Sequence, residues 1–393
     1  MTIYRTYPLH LPGKTDEAYF AWLREQEPVV IGVDPRALPA KADWIGWGRA
    51  VFDWPSNITP KQGSIASRVV IRTKGQIEFG ILSCSGCPVG PSALLEEDST
   101  GDRRDTGNPA KQPWRDQGAP WLAPWLKPDP NALPEDLATF ARLRTRIPSV
   151  AARFHSSSWA PANMPSLIGV RDIKYLDRTG LVQHRSIGDL MRYAALNFGG
   201  GAMSNTSAFG ADAPGRPVGP NLRRLSDGHL YALALYVYSL EPPANPNRVD
   251  QRAAAGQKIF ESKGCATCHT PPLYTNNKLA PAPGFRVPDE HKTKYDIMPV
   301  SAGTDPWLAT KTRRGTGYYK VPSLRGVWYR GPFEHNGSVL TLEDWFDASR
   351  LRDDYVPTGW LGPNETRAVR GHEFGLRLKP EEKASLIAFL KTL

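Results

Sequence analysis

The chain has 393 residues, of which 40% are hydrophobic and 22% charged, enough apolar material for a large core and too much for a wholly disordered protein. Lysine and arginine (49) exceed aspartate and glutamate (39) by ten, but the excess is spread along the chain, so nucleic acid is not an expected partner. No apolar run reaches the length of a membrane-spanning helix, and abundant glycine (35) and proline (37) predict long irregular segments.

The first stretch, MTIYRTYPLHLPGKTDEAYF, has neither a charged start followed by an apolar core nor a small-residue cleavage site. Residues 41–55, KADWIGWGRAVFDWP, carry Trp44, Trp47, Gly48, Val51 and Phe52 at helical spacing before a proline stop. Residues 68–83 alternate around Lys74-Gly75 and predict a β-hairpin that leads into Cys84. Residues 88–135 sustain no period and are expected to be loop. The biased stretch to about 120 also resembles the product of a reading-frame change.

Short helices are predicted over 136–147 and 186–197. The run SDGHLYALALYVYSLEPP, 226–243, has a serine cap, an apolar body and a Pro-Pro stop, the signature of a buried helix closing a first lobe. After the linker PANPNRVD, residues 250–270 begin again with a helix leading to Cys265, and KPEEKASLIAFLKTL is an amphipathic terminal helix. A faint repeat joins the halves: Gly48-x-x-Val51-Phe52 upstream and Gly256-x-x-Ile259-Phe260 downstream. The expected architecture is mainly α, with two lobes over 1–245 and 246–393, long irregular loops and a small hairpin in the first lobe.

The four cysteines form two C-x-x-C pairs. Cys265-Ala-Thr-Cys268-His269 is the C-x-x-C-H pattern of covalent haem attachment. Thiols one turn apart can add to the two vinyl groups of a single haem, and the adjacent imidazole then reaches the iron from the same side. The competing readings are a thioredoxin-like redox pair, which wants a βαβ setting, and half of a zinc site, which would have to recruit cysteines from far outside the usual spacings. In Cys84-Ser85-Gly86-Cys87-Pro88, proline stands where a ligating histidine would be, so the pair reads as structural or vestigial. One haem c is expected and a second is possible.

WIGWGRAVFD, GILSCSGC, GQKIFESKGCATCHT, YYKVPSLRGVWYRGPFEHNGSVLTLEDWFD and GHEFGLRLKPEEKASLIAFLKTL resemble the bacterial dihaem cytochrome c peroxidase and MauG superfamily, especially its rubber oxygenase (RoxA-like) branch. The resemblance covers roughly three quarters of the chain. It implies two cytochrome c-like lobes, each with a haem, in an exported, periplasmic protein whose electrons pass between haems to peroxide, oxygen or a partner.

The second iron ligand has three candidates. His372, in Arg370-Gly-His-Glu-Phe-Gly375, resembles the distal ligand of the second haem in the rubber oxygenase branch. Met298 follows His269 by 29 residues and is the alternative, and His335 matches a peroxidase segment that lines the haem pocket or bonds a propionate. The family peroxidases place a ligating methionine where this chain has Ser349, which favours His372. His155 and His184 are expected to be hydrogen-bonded structural residues. Tyr318, Tyr319, Arg325 and Trp328 are candidates for haem-edge contact, and the basic run 311–314 reads as a solvated face able to steer an acidic partner.

The leading expectation is a c-type cytochrome that carries single electrons to or from a small redox protein. The alternatives are a dihaem peroxidase or oxygenase and a decayed, non-catalytic paralogue. Attachment of haem c outside the cytoplasm conflicts with the missing leader, and a truncated or misassigned start is the expected resolution.

Overall fold

The computed structural model describes residues 2–9, 14–32, 40–55, 57–60, 66–81, 83–85, 166–198, 225–311, 315–331, 333–358 and 370–393. Cys87, Pro88, His155, the 88–135 segment, the expected 136–147 helix and the basic side chains of 311–314 lie outside them.

The first half opens with β1 (Ile3–Tyr4), β2 (Thr6–Pro8), α1 (Asp16–Arg24), β3 (Val30–Ile31), α2 (Lys41–Asp53), β4 (Asn57–Thr59), β5 (Ala66–Thr73) and β6 (Gln76–Ile81). The hairpin turns at Lys74-Gly75 as its pattern requires. It is not isolated, however: β2 and β4 pair on its two sides, giving an antiparallel sheet of order β2-β5-β6-β4. Strands of two or three residues carry too little alternation to be read locally, and only pairing with β5 and β6 stabilises them. Helix α1, capped by Thr15, covers one face of the sheet by packing Tyr19 and Leu23 on Val69, Ile71 and Phe79.

The described chain resumes with β7 (Tyr175–Leu176), β8 (Val182–Gln183), α3 (Ile187–Phe198) and α4 (Asp227–Tyr238). Ser226 caps α4 by accepting from the His229 amide at 3.2 Å. In the second half follow α5 (Gln251–Ser262), β9 (Leu279–Pro281), α6 (Asp289–Lys294), α7 (Trp307–Lys311), β10 (Tyr318–Lys320), α8 (Leu342–Trp345) and α9 (Pro380–Lys391). The described residues are mainly helical with small sheets, and no described helix is long and apolar enough to cross a membrane.

The sequence repeat has a structural counterpart. α2 crosses α4 at Gly48, where a Cβ would lie 2.0 Å from the Ala232 carbonyl oxygen and 2.6 Å from the Tyr236 Cβ. α5 crosses α9 at Gly256, where a Cβ would lie 1.9 Å from the Ser385 carbonyl oxygen and 2.8 Å from the Phe389 Cβ. Four residues beyond each glycine a phenylalanine meets the same partner ring, Phe52 on Tyr236 at 5.3 Å and Phe260 on Phe389 at 5.4 Å. Each glycine admits a close backbone approach, and the phenylalanine one turn later fills the space where the helices diverge. Separate apolar cores surround the two crossings, Val51, Phe52 and Leu233 in one, Phe260, Leu386 and Phe389 in the other.

Segment 172–183 joins the halves. Asn277 accepts from the Lys174 amide at 3.0 Å and donates to the Asp172 carbonyl at 2.9 Å, while Tyr175 donates its hydroxyl hydrogen toward Asp296 at 3.4 Å. His184, at the end of this segment, has Nδ1 2.7 Å from the Ile173 carbonyl and Nε2 2.6 Å from the Tyr238 hydroxyl. Both ring nitrogens are engaged, the structural role expected of it.

Candidate functional site

Helix α5 ends at Lys263, and Cys265–Thr267 form one tight turn whose carbonyl at Cys265 accepts from the His269 amide at 2.9 Å. Both cysteines are half-buried and reduced, and burial raises both thiol pKa values, so they rest as neutral thiols. Cys265 abuts the apolar core of the α5 and α9 crossing, and Cys268 abuts Ala280, Met298 and Val321. The helix crossing therefore backs the turn at Cys265.

His269 is buried and its Nδ1 lies 3.1 Å from two carbonyl oxygens, those of Tyr274 and Pro322. Donation from Nδ1 fixes the tautomer and leaves the Nε2 lone pair free, an arrangement common behind metal-bound imidazoles. Burial lowers its pKa and keeps the ring neutral.

Facing it is His372. The ring centroids are 6.3 Å apart with planes inclined by 55°. Two imidazoles on opposite sides of one metal ion, with metal–nitrogen bonds of about 2 Å, place their centroids roughly 6 Å apart. His372 Nδ1 is enclosed and has no hydrogen-bond partner. Such an orphaned nitrogen costs free energy unless a ligand satisfies it. Burial, with His269 opposite, lowers the His372 pKa to about 3, so the imidazole is neutral and its lone pair free to coordinate. The thiols, the neutral imidazoles and the orphaned nitrogen together fit an axially ligated haem c.

The loop that presents His372 is built for that purpose. Gly371 has φ of 115° and its missing Cβ would lie 2.3 Å from the Gly303 carbonyl oxygen, so no other residue fits there. His372 itself has φ of 47°, and its amide donates to the Ala302 carbonyl at 3.3 Å. Trp345 and Phe374 meet its ring edge to face at 5.1 and 5.2 Å.

Arg350 is fully buried and donates to the Gly371 carbonyl at 3.0 Å, the His372 carbonyl at 2.9 Å and the Glu334 carboxylate at 3.2 Å. Burial pushes the Glu334 carboxyl up to about 8 against the opposing pull of Arg350. The guanidinium also lies 5.1 Å from the Trp345 ring centroid. Sequence reading missed this clamp. Arg350 adjoins Ser349, but nothing in its neighbours along the chain announces a contact 22 positions away.

The other candidates are placed differently. The Met298 sulfur accepts from Asn276 Nδ2 at 2.9 Å and packs beside Cys268, so it is engaged on the cysteine side of the site. His335 stacks on Tyr319 at 5.1 Å and lies 3.5 Å from Thr304 Oγ1. Tyr318 bonds His291, Arg325 is exposed, and Trp328 packs edge-on against Tyr329. In the first half, Cys84 packs against the α2 and α4 core, beside Ser85, whose amide donates to the Phe52 carbonyl at 3.2 Å.

No protein-family model matches the chain. The cytochrome-c peroxidase IdrP1 of Pseudomonas sp. (strain SCT) is 30% identical over 166 residues, covering 37% of this chain and 41% of that protein. The protein of the same description in Denitromonas iodatirespirans is 26% identical over 159 residues, 36% of this chain and 40% of that one. The methylamine utilization protein MauG of Methylorubrum extorquens is 28% identical over 149 residues, 36% of this chain and 34% of that protein. The chain thus spans about two fifths of the length of the curated peroxidases it matches. Among solved structures, a MauG-like protein associated with microbial copper homeostasis is 18% identical, with 60% of this chain and 73% of that one covered at a TM-score of 0.36.

The relatives are cytochrome-c peroxidases and MauG, and the likeness spans a little over a third of this chain. Over those stretches it is similar to the bacterial dihaem cytochrome c peroxidase and MauG superfamily, at modest identity. The relatives are compatible with the expected electron carrier and support the peroxidase alternative better.

Proposed function

We propose that residues 246–393 form the electron-transfer haem c domain of an exported oxidoreductase of the cytochrome-c peroxidase type, and that residues 1–245 form a second, cytochrome c-like lobe. The observation that carries the reading is the opposition of His269 and His372 across 6.3 Å beside Cys265 and Cys268. In it, Cys265 and Cys268 tether the haem by thioethers, His269 supplies the proximal ligand and His372 the distal one. The bound group supplies a reversible one-electron couple.

The chain's residues tune and protect that couple. The carbonyls of Tyr274 and Pro322 hold the His269 ring in one orientation and raise its basicity as a ligand. Gly371, Arg350 and Trp345 keep the His372 ring from collapsing onto His269. A haem held by both imidazoles would pass electrons and leave no place for substrate at this site. Reduction of peroxide would then fall to the first lobe, where Cys84 and Cys87 would have to hold a second haem without an adjacent histidine. A small redox protein is the expected electron donor.

The test is a haem count per chain by pyridine haemochrome absorbance and intact mass, after expression with c-type maturation machinery, joined to a peroxide-dependent donor-oxidation assay. Two haems with peroxide-dependent turnover support the reading. One haem, lost in Cys265→Ser and retained in Cys84→Ser, with reversible reduction and no turnover, returns the chain to a simple electron carrier.

A further inference from the structure

Some way from the haem ligands, the Tyr318 hydroxyl lies 2.9 Å from His291 Nδ1. Tyr318 is only 3% exposed and sits in an apolar cluster with Tyr175 and Leu279, while His291 is half-buried at the edge of that cluster. The Glu290 carboxylate, 3.9 Å from His291 Nε2, favours the tautomer with its proton on Nε2. In that tautomer Nδ1 accepts the phenol hydrogen bond. A buried phenol aimed at a neutral imidazole can lose an electron and a proton together, which avoids forming a charged phenol radical in an apolar core.

The position of the pair gives it a use. Tyr318 begins β10, and four residues later on the same segment the Pro322 carbonyl accepts from His269 at 3.1 Å. The two backbone positions are thus at most about 14 Å apart. On the other side, His291 meets Tyr295 edge-on at 5.2 Å, and Tyr295 is half-exposed, with Lys294 over its ring. Two oxidisable tyrosine rings bridged by an imidazole therefore lead from the strand beside His269 to the surface.

The geometry points to a proton-coupled redox pair in Tyr318 and His291, a way station that moves oxidising equivalents from the haem to donors held at the Tyr295 surface. It rests on the peroxidase-type reading, with hydrogen peroxide as the oxidant. Tyr318 gives one electron to the peroxide-oxidised cofactor and its hydroxyl proton to His291 Nδ1, leaving a neutral phenoxyl radical and an imidazolium. An external one-electron donor then returns the electron, and His291 returns the proton. Two such cycles, with two protons from solvent, balance the reduction of one peroxide to two waters. Burial raises the Tyr318 pKa to about 12, so the phenol rests fully protonated before oxidation.

The test follows radical formation by electron paramagnetic resonance in the haem-loaded chain under two oxidants, hydrogen peroxide and a ruthenium polypyridyl photo-oxidant with persulfate. Tyr318→Phe should remove the hydrogen-bonded tyrosyl signal. His291→Asn should slow its appearance about a hundredfold, the size of a lost general base. Unchanged thermal midpoints in both variants tie these losses to the pair and not to unfolding. A Tyr318-dependent radical from both oxidants supports the proposal. A light-driven Tyr318 radical with none from peroxide supports the pair as a redox site and overturns the peroxidase-type reading instead. A tyrosyl signal of unchanged amplitude in Tyr318→Phe under both oxidants, or an unchanged rate in His291→Asn, overturns the pair.

Discussion

Arg350 Nη2 donates to the carbonyl oxygen of His372 at 2.9 Å, so a buried guanidinium holds the backbone of the proposed distal ligand and leaves its ring free. The same side chain reaches Gly371 and Glu334. Positioning of His372 thus depends on an ion pair as well as on the loop's own backbone.

Above about pH 8, where the Glu334 carboxyl is ionised, Arg350→Met leaves that charge unpaired in the interior and should destabilise the chain by about 3–5 kcal/mol. Glu334→Gln combined with Arg350→Met removes the stranded charge and should recover most of that loss, while the His372 loop stays loosened. Chemical denaturation separates the two effects, because stability returns in the double variant and the low-spin haem spectrum does not.

His372→Ala should open one axial position. The visible spectrum then moves from low-spin to a high-spin mixture, and added imidazole restores the low-spin form. His372→Met should raise the reduction potential relative to the native chain, since a thioether favours the reduced iron. An unaltered spectrum in His372→Ala would direct attention to Met298.

Gly256→Ala and Gly48→Ala each place a methyl within 2.0 Å of a backbone carbonyl oxygen on the crossing helix. Each should cost about 1–3 kcal/mol as the helices are forced apart. Gly256→Ala should also lower haem incorporation during maturation, because Cys265 rests on that crossing. Gly48→Ala should spare incorporation at Cys265 and Cys268.

Burial lowers the Lys320 pKa to about 7 from an ordinary 10.5. Between those values the unfolded chain binds a proton that the folded chain does not, so this residue makes stability rise with pH through that window. The slope is at most about 1.4 kcal/mol per pH unit. Glu334 acts in the opposite direction between pH 4.5 and about 8, because its folded carboxyl holds the proton longer. The comparison belongs above pH 8: the difference in unfolding free energy between the native chain and Lys320→Met should shrink from pH 8 to 10.

Helices were legible where an apolar stripe coincided with a cap. The expected helix over 226–243 is observed over Asp227–Tyr238 with Ser226 as its cap, and the terminal helix over Pro380–Lys391 with Glu382 accepting from the Lys379 amide. α1 was passed over although Thr15, Asp16 and Glu17 form an ordinary helix start, because its apolar face is only Tyr19 and Leu23. The flanking strands β2 and β4 were invisible because each is three residues long and gains its stability from partners far along the chain.

The sequence by itself determined what chemistry Cys265, Cys268 and His269 can offer: two thiols and an imidazole within five consecutive residues meet through local backbone geometry, and that is encoded locally. The repeated glycine and phenylalanine marked two related segments, but which helix each one crosses came only from the tertiary structure. Only the tertiary structure decided which side chain faces His269, since His372 lies 103 positions away and reaches it through a positive-φ turn on Gly303 and a buried arginine. The same holds for Tyr318 and His291, which neither periodicity nor spacing connects. Contacts between distant segments are settled by how the two halves pack, and a residue's neighbours along the chain carry no record of that packing.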